Sequence, residues 1–311
     1  MAWPPAKRIE GITKGTMHDH AETYIYKIAG DCEIRADVYR GPLSARPAPV
    51  IIWIHGGALI QGSRVDLQPI QRDRYVRAGY AVVSIDYRLA PETKLHAIIE
   101  DIEDACRWVR EEGPGLFNAD PGRVAIIGHS AGGYLALMAG AFSPRPRALV
   151  SFYGYGDIVG DWYTRPDPFY CRQPAVSKQE AYRNVGGPPV SEAPHDRGQF
   201  YLHCRQHGIW PREVAGHDPH TEPSAFVPLC PIRNISADYP PTMLLHGEED
   251  KDVPCDQSVM MAQALAGAGV EHELITIPEG GHCFDLNADS PGTHAAFERL
   301  LAFLKTHLSE E

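Results

Sequence analysis

Short, nearly continuous apolar runs recur along the chain and constrain its fold more than any other feature. They lie at residues 50–54, 81–85, 124–127, 148–152 and 242–245. Runs of this length without polar alternation are typical of strands that are buried on both faces of a parallel sheet. Because parallel strands need long crossover connections, the pattern predicts strands that alternate with helices.

The segments between these runs carry helical periodicity. In the segment 98–110 apolar residues recur at three- and four-residue steps while acidic residues fill the opposite face; they are Ile98, Ile102, Ala105, Cys106 and Val109. Further helices are predicted near 131–142, 256–268 and 293–308. Two strands near 23–28 and 33–39 predict a hairpin at the edge of the sheet. We therefore expect a single α/β domain over residues 1–311, with a mostly parallel sheet flanked by helices.

The alternation fails between residues 155 and 238. This segment is rich in proline and in aromatic residues, among them Trp162, Tyr163 and Trp210. A structureless loop of such length is improbable in a compact domain. We interpret residues 155–238 as an inserted cap of short helices that lies over the carboxyl edge of the sheet.

Composition excludes several classes of protein. The formal net charge of −11 repels phosphate backbones, so nucleic acid is not an expected partner. No stretch of about 18 apolar residues or signal peptide is visible, which predicts a cytoplasmic protein without a membrane span. The seven cysteines never form a CxxC pair and are expected to be reduced thiols. The oligomeric state stays open, with a homodimer as one candidate.

The strongest chemical signal is the sequence GHSAG at 128–132, which follows a predicted strand and precedes a predicted helix. A sharp turn between a strand and a helix strains the central serine, and small neighbours let the two elements approach. Ser130 would stand at a helix N-terminus, where the free N–H groups favour negative charge. We predict that Ser130 is a nucleophile.

A second signal is the sequence HGGA at 55–58, directly after another predicted strand. Adjacent glycines let the backbone direct its N–H groups into a cavity, as an oxyanion hole requires. We predict that the amides of Gly56 and Gly57, together with that of Ala131, form this hole.

A serine hydroxyl needs a base, and the base needs an orienting carboxylate. The expected chain order is serine, acid, histidine. Asp250 follows a late strand and is the predicted acid. Its competitors are Glu248, Glu249 and Asp252, which we interpret as solvated loop charges.

His282 lies in the glycine loop PEGGH, after a strand predicted at 273–277. It is the predicted general base. Cys283 beside it receives no role, since extended backbone would turn its side chain away.

His203 and His207, four residues apart, could suggest a metal site. No motif such as HExxH accompanies them, so we predict hydrogen bonds to backbone instead.

Together these segments resemble the α/β-hydrolase esterases related to hormone-sensitive lipase. The resemblance rests on HGG at 55–57, DYRLAPE at 86–92, GHSAGG at 128–133 and HGxxD at 246–250. The chain departs from the family pattern at Ala58 and His129, and its turn at Asp250 is similar to that of prolyl-oligopeptidase-like enzymes. The resemblance implies the oxyanion hole already predicted, and a structural Arg88 that pairs with a carboxylate.

The expected function is hydrolysis of short-chain acyl or aryl esters through an acyl-enzyme intermediate. The expected substrate is therefore a small-molecule ester. This chemistry requires no metal or organic cofactor. Two alternatives stay open, the first being an amidase, peptidase or arylformamidase-like serine hydrolase. The second is a catalytically silent binding protein of the same fold.

Overall fold

The structure, a computed structural model, describes residues 7–9, 21–42, 46–193, 195–287 and 289–310. Within this part of the chain nine strands form one sheet, in the order β1-β2-β3-β5-β4-β6-β7-β8-β9. The strands are β1 (Lys7–Ile9), β2 (Glu22–Ala29), β3 (Cys32–Tyr39), β4 (Ala48–Ile54), β5 (Ala81–Ile85), β6 (Ala119–His129), β7 (Ala148–Phe152), β8 (Thr242–Gly247) and β9 (His272–Ile277). Pairings from β5 through β9 are parallel, whereas β1, β2 and β3 pair antiparallel at one edge.

The helices alternate with the strands in the first and last parts of the chain. They are α1 (Pro69–Arg77), α2 (Leu95–Glu111), α3 (Gly113–Phe117), α4 (Ala131–Met138), α5 (Asp161–Thr164), α6 (Lys178–Ala181), α7 (Gly198–His207), α8 (Trp210–Ala215), α9 (Asp256–Gly267) and α10 (Pro291–His307). No helix among the described residues is both long enough and apolar enough to cross a bilayer.

The sheet separates two apolar cores, and strand β4 shows why. Its alternate residues Ile52 and Ile54 pack into the core that α2 and α4 cover. Ile51 and Trp53 point into the other core, beneath α1 and α10. Both faces of the strand are therefore buried, which explains its unbroken apolar sequence.

The predicted α/β fold is confirmed, and most predicted elements appear within a few residues of their expected bounds. The predicted hairpin is β2 and β3, with β1 beyond it at the sheet edge. Helix α1 has no clear apolar periodicity in the sequence, because only a few apolar residues mark its buried face and Gln71 and Arg72 are buried beside them. All seven cysteines are free, as predicted.

Between β7 and β8 the chain forms short helices rather than strands. The described elements there are α5 to α8 and several 3₁₀ turns. His203 Nδ1 lies 2.9 Å from the carbonyl of Val176, and His207 Nδ1 lies 2.9 Å from that of His203. These histidines contact backbone, as predicted.

A buried ion pair fixes the segment after β5 to helix α2. Arg88 donates from Nε and Nη2 to the two oxygens of Asp101, at 2.8 and 2.7 Å. Lys27 Nζ lies 2.6 Å from the same carboxylate, which is fully buried. The structural role expected for Arg88 is therefore confirmed.

We expect Asp101→Ala to lower the free energy of unfolding by about 3–5 kcal/mol, because it leaves the Arg88 cation buried without its partner. Urea denaturation followed by circular dichroism measures the change. The matched control is Glu273→Ala, which breaks an exposed pair with Arg299. This control should lose less than about 1 kcal/mol. Equal losses in both variants would contradict the prediction.

Candidate active site

The turn between β6 and α4 holds Ser130 in strained backbone. Its φ is 54° and its ψ is −115°, outside the regions that most residues adopt. A Cβ at Gly128 would lie 1.9 Å from the carbonyl oxygen of Gly132, and a Cβ at Gly132 would lie 2.1 Å from that of Ile54. Only glycine fits at these two positions, so the strand and helix approach closely enough to force the turn.

Ser130 faces a cavity of about 490 Å³. Its amide donates to the carbonyl of Phe152, at 2.8 Å, which ties the turn to the neighbouring strand β7. The residue after it, Ala131, begins α4, so its amide has no partner within the helix.

His282 lies on the loop after β9 and also lines the cavity. Its Nδ1 lies 2.7 Å from Oδ2 of Asp250, a charge-assisted hydrogen bond. The other oxygen of Asp250 accepts the amides of Asp252 and Val253, at 2.8 and 2.9 Å. The carboxylate is therefore held from both sides and orients the imidazole.

His246 supports this acid, a role that the sequence analysis did not assign. It is fully buried at the end of β8, and its Nε2 lies 3.3 Å from Oδ2 of Asp250. Its Nδ1 contacts the hydroxyl of Ser258 at 2.7 Å. The HGxxD spacing was a usable signal, because it places the histidine at the end of the strand and the acid in the turn that follows it.

The surroundings shift the pKa values of Asp250 and His282 in opposite directions. Burial by itself raises the pKa of Asp250, but hydrogen bonds from His246 and His282 hold it well below its usual range. Burial lowers the pKa of His282, yet the hydrogen bond to Asp250 and the charge of Asp252 outweigh it, so the pKa is raised. An ionised acid beside a basic imidazole is the arrangement that a general base requires.

The structure does not join all three predicted residues by hydrogen bonds. Within the described part of the chain, none connects the hydroxyl of Ser130 to His282. The Nε2 of His282 instead lies 3.5 Å from Oδ2 of Asp252. Catalytic hydrogen bonds are often long without substrate, so the shared cavity is the relevant finding.

Asp252 is held from the segment between β7 and β8. Its Oδ1 accepts from the hydroxyls of Tyr170 and Tyr201, at 2.7 and 2.6 Å. Arg205 Nη1 donates to the same oxygen at 2.9 Å. The interpretation of Asp252 as a solvated loop charge is therefore wrong, because three donors fix it beside His282.

The glycines after β4 border the serine. A Cβ at Gly56 would lie 3.4 Å from the Cβ of Ser130, and Gly57 has a positive φ of 98°. Within the described residues, the amides of Gly56 and Gly57 donate to no other group. Both glycines line the cavity, so their amides are available to an oxygen atom that enters it.

A second histidine–carboxylate contact lies across the cavity and was also missed. His129 Nε2 is 3.2 Å from Oδ2 of Asp285. The same carboxylate accepts from Gln71 Nε2 at 2.5 Å and from the hydroxyl of Tyr153 at 2.6 Å. Asp285 thus links the loop that carries His282 to the residue before Ser130.

Cys283 differs from its expected position. Its backbone is left-handed, with φ of 61°, rather than extended. The side chain therefore does not follow the alternation of a strand, and the residue lines the cavity. Burial raises the pKa of its thiol to about 12, which keeps it protonated and a poor nucleophile.

Two family models match separate parts of the chain. One, described as BD-FAE, matches residues 36–155. The other, the prolyl oligopeptidase family, matches residues 199–311. The first match includes the glycine loop and the serine turn, and the second includes the acid and the histidine.

Among curated proteins, the non-reducing polyketide synthase pkbA of Emericella nidulans is 31% identical over 352 residues. The match covers 93% of this chain and 14% of the synthase, so the chain spans only a small part of that relative.

Solved structures share the fold at low identity. An alpha/beta hydrolase superfamily protein from Enterococcus faecalis has a TM-score of 0.67 and 23% identity, over 88% of this chain and 96% of that chain. A bacterial heroin esterase has a TM-score of 0.69 and 23% identity, over 94% and 85% of the respective chains. These likenesses show that the chain shares their fold.

We expect Asp252→Asn to lower the pKa of His282, because it removes a negative charge 3.5 Å from Nε2 and keeps the shape of the side chain. An NMR titration of the His282 ring measures the pKa directly. Glu249→Gln is the matched control, since it removes an exposed charge from the same loop. An unchanged or raised pKa in Asp252→Asn would contradict the prediction.

Proposed function

We propose that this chain, which has the α/β-hydrolase fold, is a serine esterase that hydrolyses carboxylic esters with short acyl or aryl groups. Ser130 is the proposed nucleophile, His282 the general base and Asp250 the orienting acid. The observation that carries the proposal is the strained Ser130 on the same cavity as the His282–Asp250 pair. Backbone strain of this kind needs a reason, and exposure of a nucleophile supplies one.

In the proposed reaction, substrate binding brings Nε2 of His282 to the hydroxyl of Ser130. The oxygen attacks the ester carbonyl while the imidazole takes the proton. The amides of Gly56, Gly57 and Ala131 stabilise the oxyanion. His282 then gives its proton to the leaving alcohol, and the acyl group remains on Ser130. Attack by water, again with His282 as base, releases the acid and restores the hydroxyl.

We further propose that the segment 155–238 acts as a cap over the cavity. The hydroxyls of Tyr170 and Tyr201, which line the cavity, support this role because they reach Asp252 beside His282. A volume of about 490 Å³ lies within the range of small-molecule sites.

The second candidate is cleavage of amide bonds, which the match to the prolyl oligopeptidase family favours. The same three residues can act on an ester or an amide carbonyl, so only assays with both kinds of substrate distinguish the two reactions. The cytoplasmic location and the homodimer of the sequence analysis remain predictions.

We expect a fluorophosphonate probe to label the protein and Ser130→Ala to abolish labelling. The variant should also lose about 10⁴-fold or more in kcat/KM for p-nitrophenyl acetate, because no nucleophile remains. Mass spectrometry of the labelled peptide and a rate assay measure both effects. Ser309→Ala is the control, since it removes an exposed serine near the end of α10. A folded wild type that is never labelled would favour the silent binding protein.

Assays on a matched ester, thioester, N-formyl aryl amine and aminoacyl-anilide then separate the candidate reactions. The thioester is included because the curated relatives are polyketide synthases. Ester turnover should exceed amide turnover. Faster cleavage of the anilide or formamide would favour the second candidate.

Among p-nitrophenyl esters of two to sixteen carbons, kcat/KM should fall steeply beyond about eight carbons. The reason is that a cavity closed by the proposed cap cannot extend with the acyl chain. Initial rates at sub-saturating substrate give the profile. Equal kcat/KM at two and sixteen carbons would contradict the proposed cap.

A further inference from the structure

Asp252 presents one of its two carboxylate oxygens to the cavity. Its Oδ1 accepts from the hydroxyls of Tyr170 and Tyr201 and from Nη1 of Arg205, so this oxygen is fixed by three donors. The side chain is 24% exposed and lines the cavity. Oδ2 accepts no hydrogen bond from the described residues, and it is not one of their buried polar atoms that lack a partner. Oδ2 is therefore accessible from the cavity.

This open oxygen lies next to the ring nitrogen that takes up the proton in the proposed reaction. Nε2 of His282 is 3.5 Å from Oδ2 of Asp252. The other ring nitrogen, Nδ1, lies 2.7 Å from Oδ2 of Asp250, so the hydrogen of the neutral ring is assigned to Nδ1. Nε2 then has a free lone pair. When His282 is ready to act as a base, two bare acceptors face the cavity side by side.

Two adjacent acceptors are satisfied together only by a molecule that donates two hydrogen bonds. Water has two hydrogens and forms hydrogen bonds of about 2.8 Å, so one water molecule can donate across the 3.5 Å separation. An alcohol has a single hydroxyl hydrogen and can satisfy only one of the two atoms. A carbonyl oxygen has none. Among the groups that take part in ester hydrolysis, the pair of acceptors therefore fits water best.

We propose that Asp252 positions the water molecule that hydrolyses the acyl-enzyme and selects it over alcohols as the acceptor of the acyl group. This inference rests on the proposed function. One hydrogen of the water is directed to Nε2 of His282 and the other to Oδ2 of Asp252. The lone pairs of its oxygen are then free to attack the acyl carbon on Ser130. His282 takes the proton in this step, whereas Asp252 acts as a positioning residue.

The proposed step consumes one water molecule and regenerates the serine. The water oxygen forms a bond to the acyl carbon while Nε2 of His282 takes one hydrogen. The second hydrogen stays on that oxygen, still directed to Asp252, and becomes the hydroxyl hydrogen of the carboxylic acid. The bond between the acyl carbon and Oγ of Ser130 then breaks, and His282 returns its proton to Oγ.

Methanol could follow the same steps and yield a methyl ester, but it would fit the site less well. Its one hydroxyl hydrogen goes to Nε2 of His282, so its methyl group takes the place of the second hydrogen. Oδ2 of Asp252 would then be covered by a methyl group and lose its hydrogen bond. A charged oxygen without a hydrogen bond is unfavourable, and this difference favours water.

The test measures how the acyl-enzyme divides between water and methanol. In buffer that contains methanol, the initial rates of acetate and methyl acetate formation from p-nitrophenyl acetate give this ratio. In Asp252→Asn the amide oxygen can stay with Tyr170, Tyr201 and Arg205, which leaves an NH₂ group that cannot accept from water. We expect the water-to-methanol ratio to fall by about tenfold. An unchanged ratio would overturn the inference.

The ratio is a suitable readout because it compares two reactions of one intermediate. It depends neither on the fraction of folded enzyme nor on the strength of the base, which both reactions share. The matched control is Asp66→Asn, which removes the same charge from the lining of the cavity. Asp66 lies between β4 and α1, and its Oδ2 accepts from the amide of Ser63 at 2.9 Å. This control should leave the ratio unchanged, and equal shifts in both variants would overturn the role of Asp252.

A second readout follows the acyl-enzyme itself, at a pH where the rate no longer rises with pH in either protein. In Asp252→Asn, kcat for p-nitrophenyl acetate should fall by more than kcat/KM, because only deacylation uses the positioned water. Mass spectrometry of quenched enzyme should then show a larger acetylated fraction of Ser130. Acetylated Ser130 with an unchanged ratio would refute this inference alone. A wild type that never acetylates Ser130 would refute the proposed function and this inference with it.

Discussion

The close approach of helix α4 to strands β4 and β6 is the constraint on which the cavity depends. Gly128 and Gly132 leave no room for a side chain, so the backbone of the helix lies against the strand ends. This contact forces Ser130 into its positive φ and brings Gly56 within reach of it. The serine and the glycine loop are thus positioned by one packing contact rather than by separate interactions.

The second half of the site is attached to the first by buried polar contacts. Asp285 lies three residues after His282 and contacts His129, Tyr153 and Gln71. These partners come from the turn before Ser130, from the end of β7 and from α1. These contacts align the loop that carries His282 with the turn that carries Ser130.

Sequence could predict the parts of this arrangement that depend on local patterns. Apolar runs gave the strands, and the GHSAG and HGGA segments marked the serine turn and the glycine loop. Local patterns in the sequence could not predict contacts between distant polar residues, such as the contact of Asp285 with His129. Asp252 was misjudged because its partners Tyr170, Tyr201 and Arg205 lie in a segment whose path no periodicity reveals. Cys283 was misplaced because a left-handed residue breaks the side-chain alternation that the argument assumed.

The position of Arg205 has a consequence for how molecules reach the cavity. Its guanidinium is almost fully buried, and it pairs with Asp167 at 2.5 Å and with Asp252 at 2.9 Å. Lifting the helical segment away from the sheet would separate the Arg205 guanidinium from Asp252, although Asp167, which lies in the same segment, would stay with it. Separating a buried cation from one of its two carboxylates is unfavourable, so this ion pair opposes movement of the segment away from the sheet. The pair therefore favours entry of molecules through the existing opening of the cavity over entry by displacement of the segment.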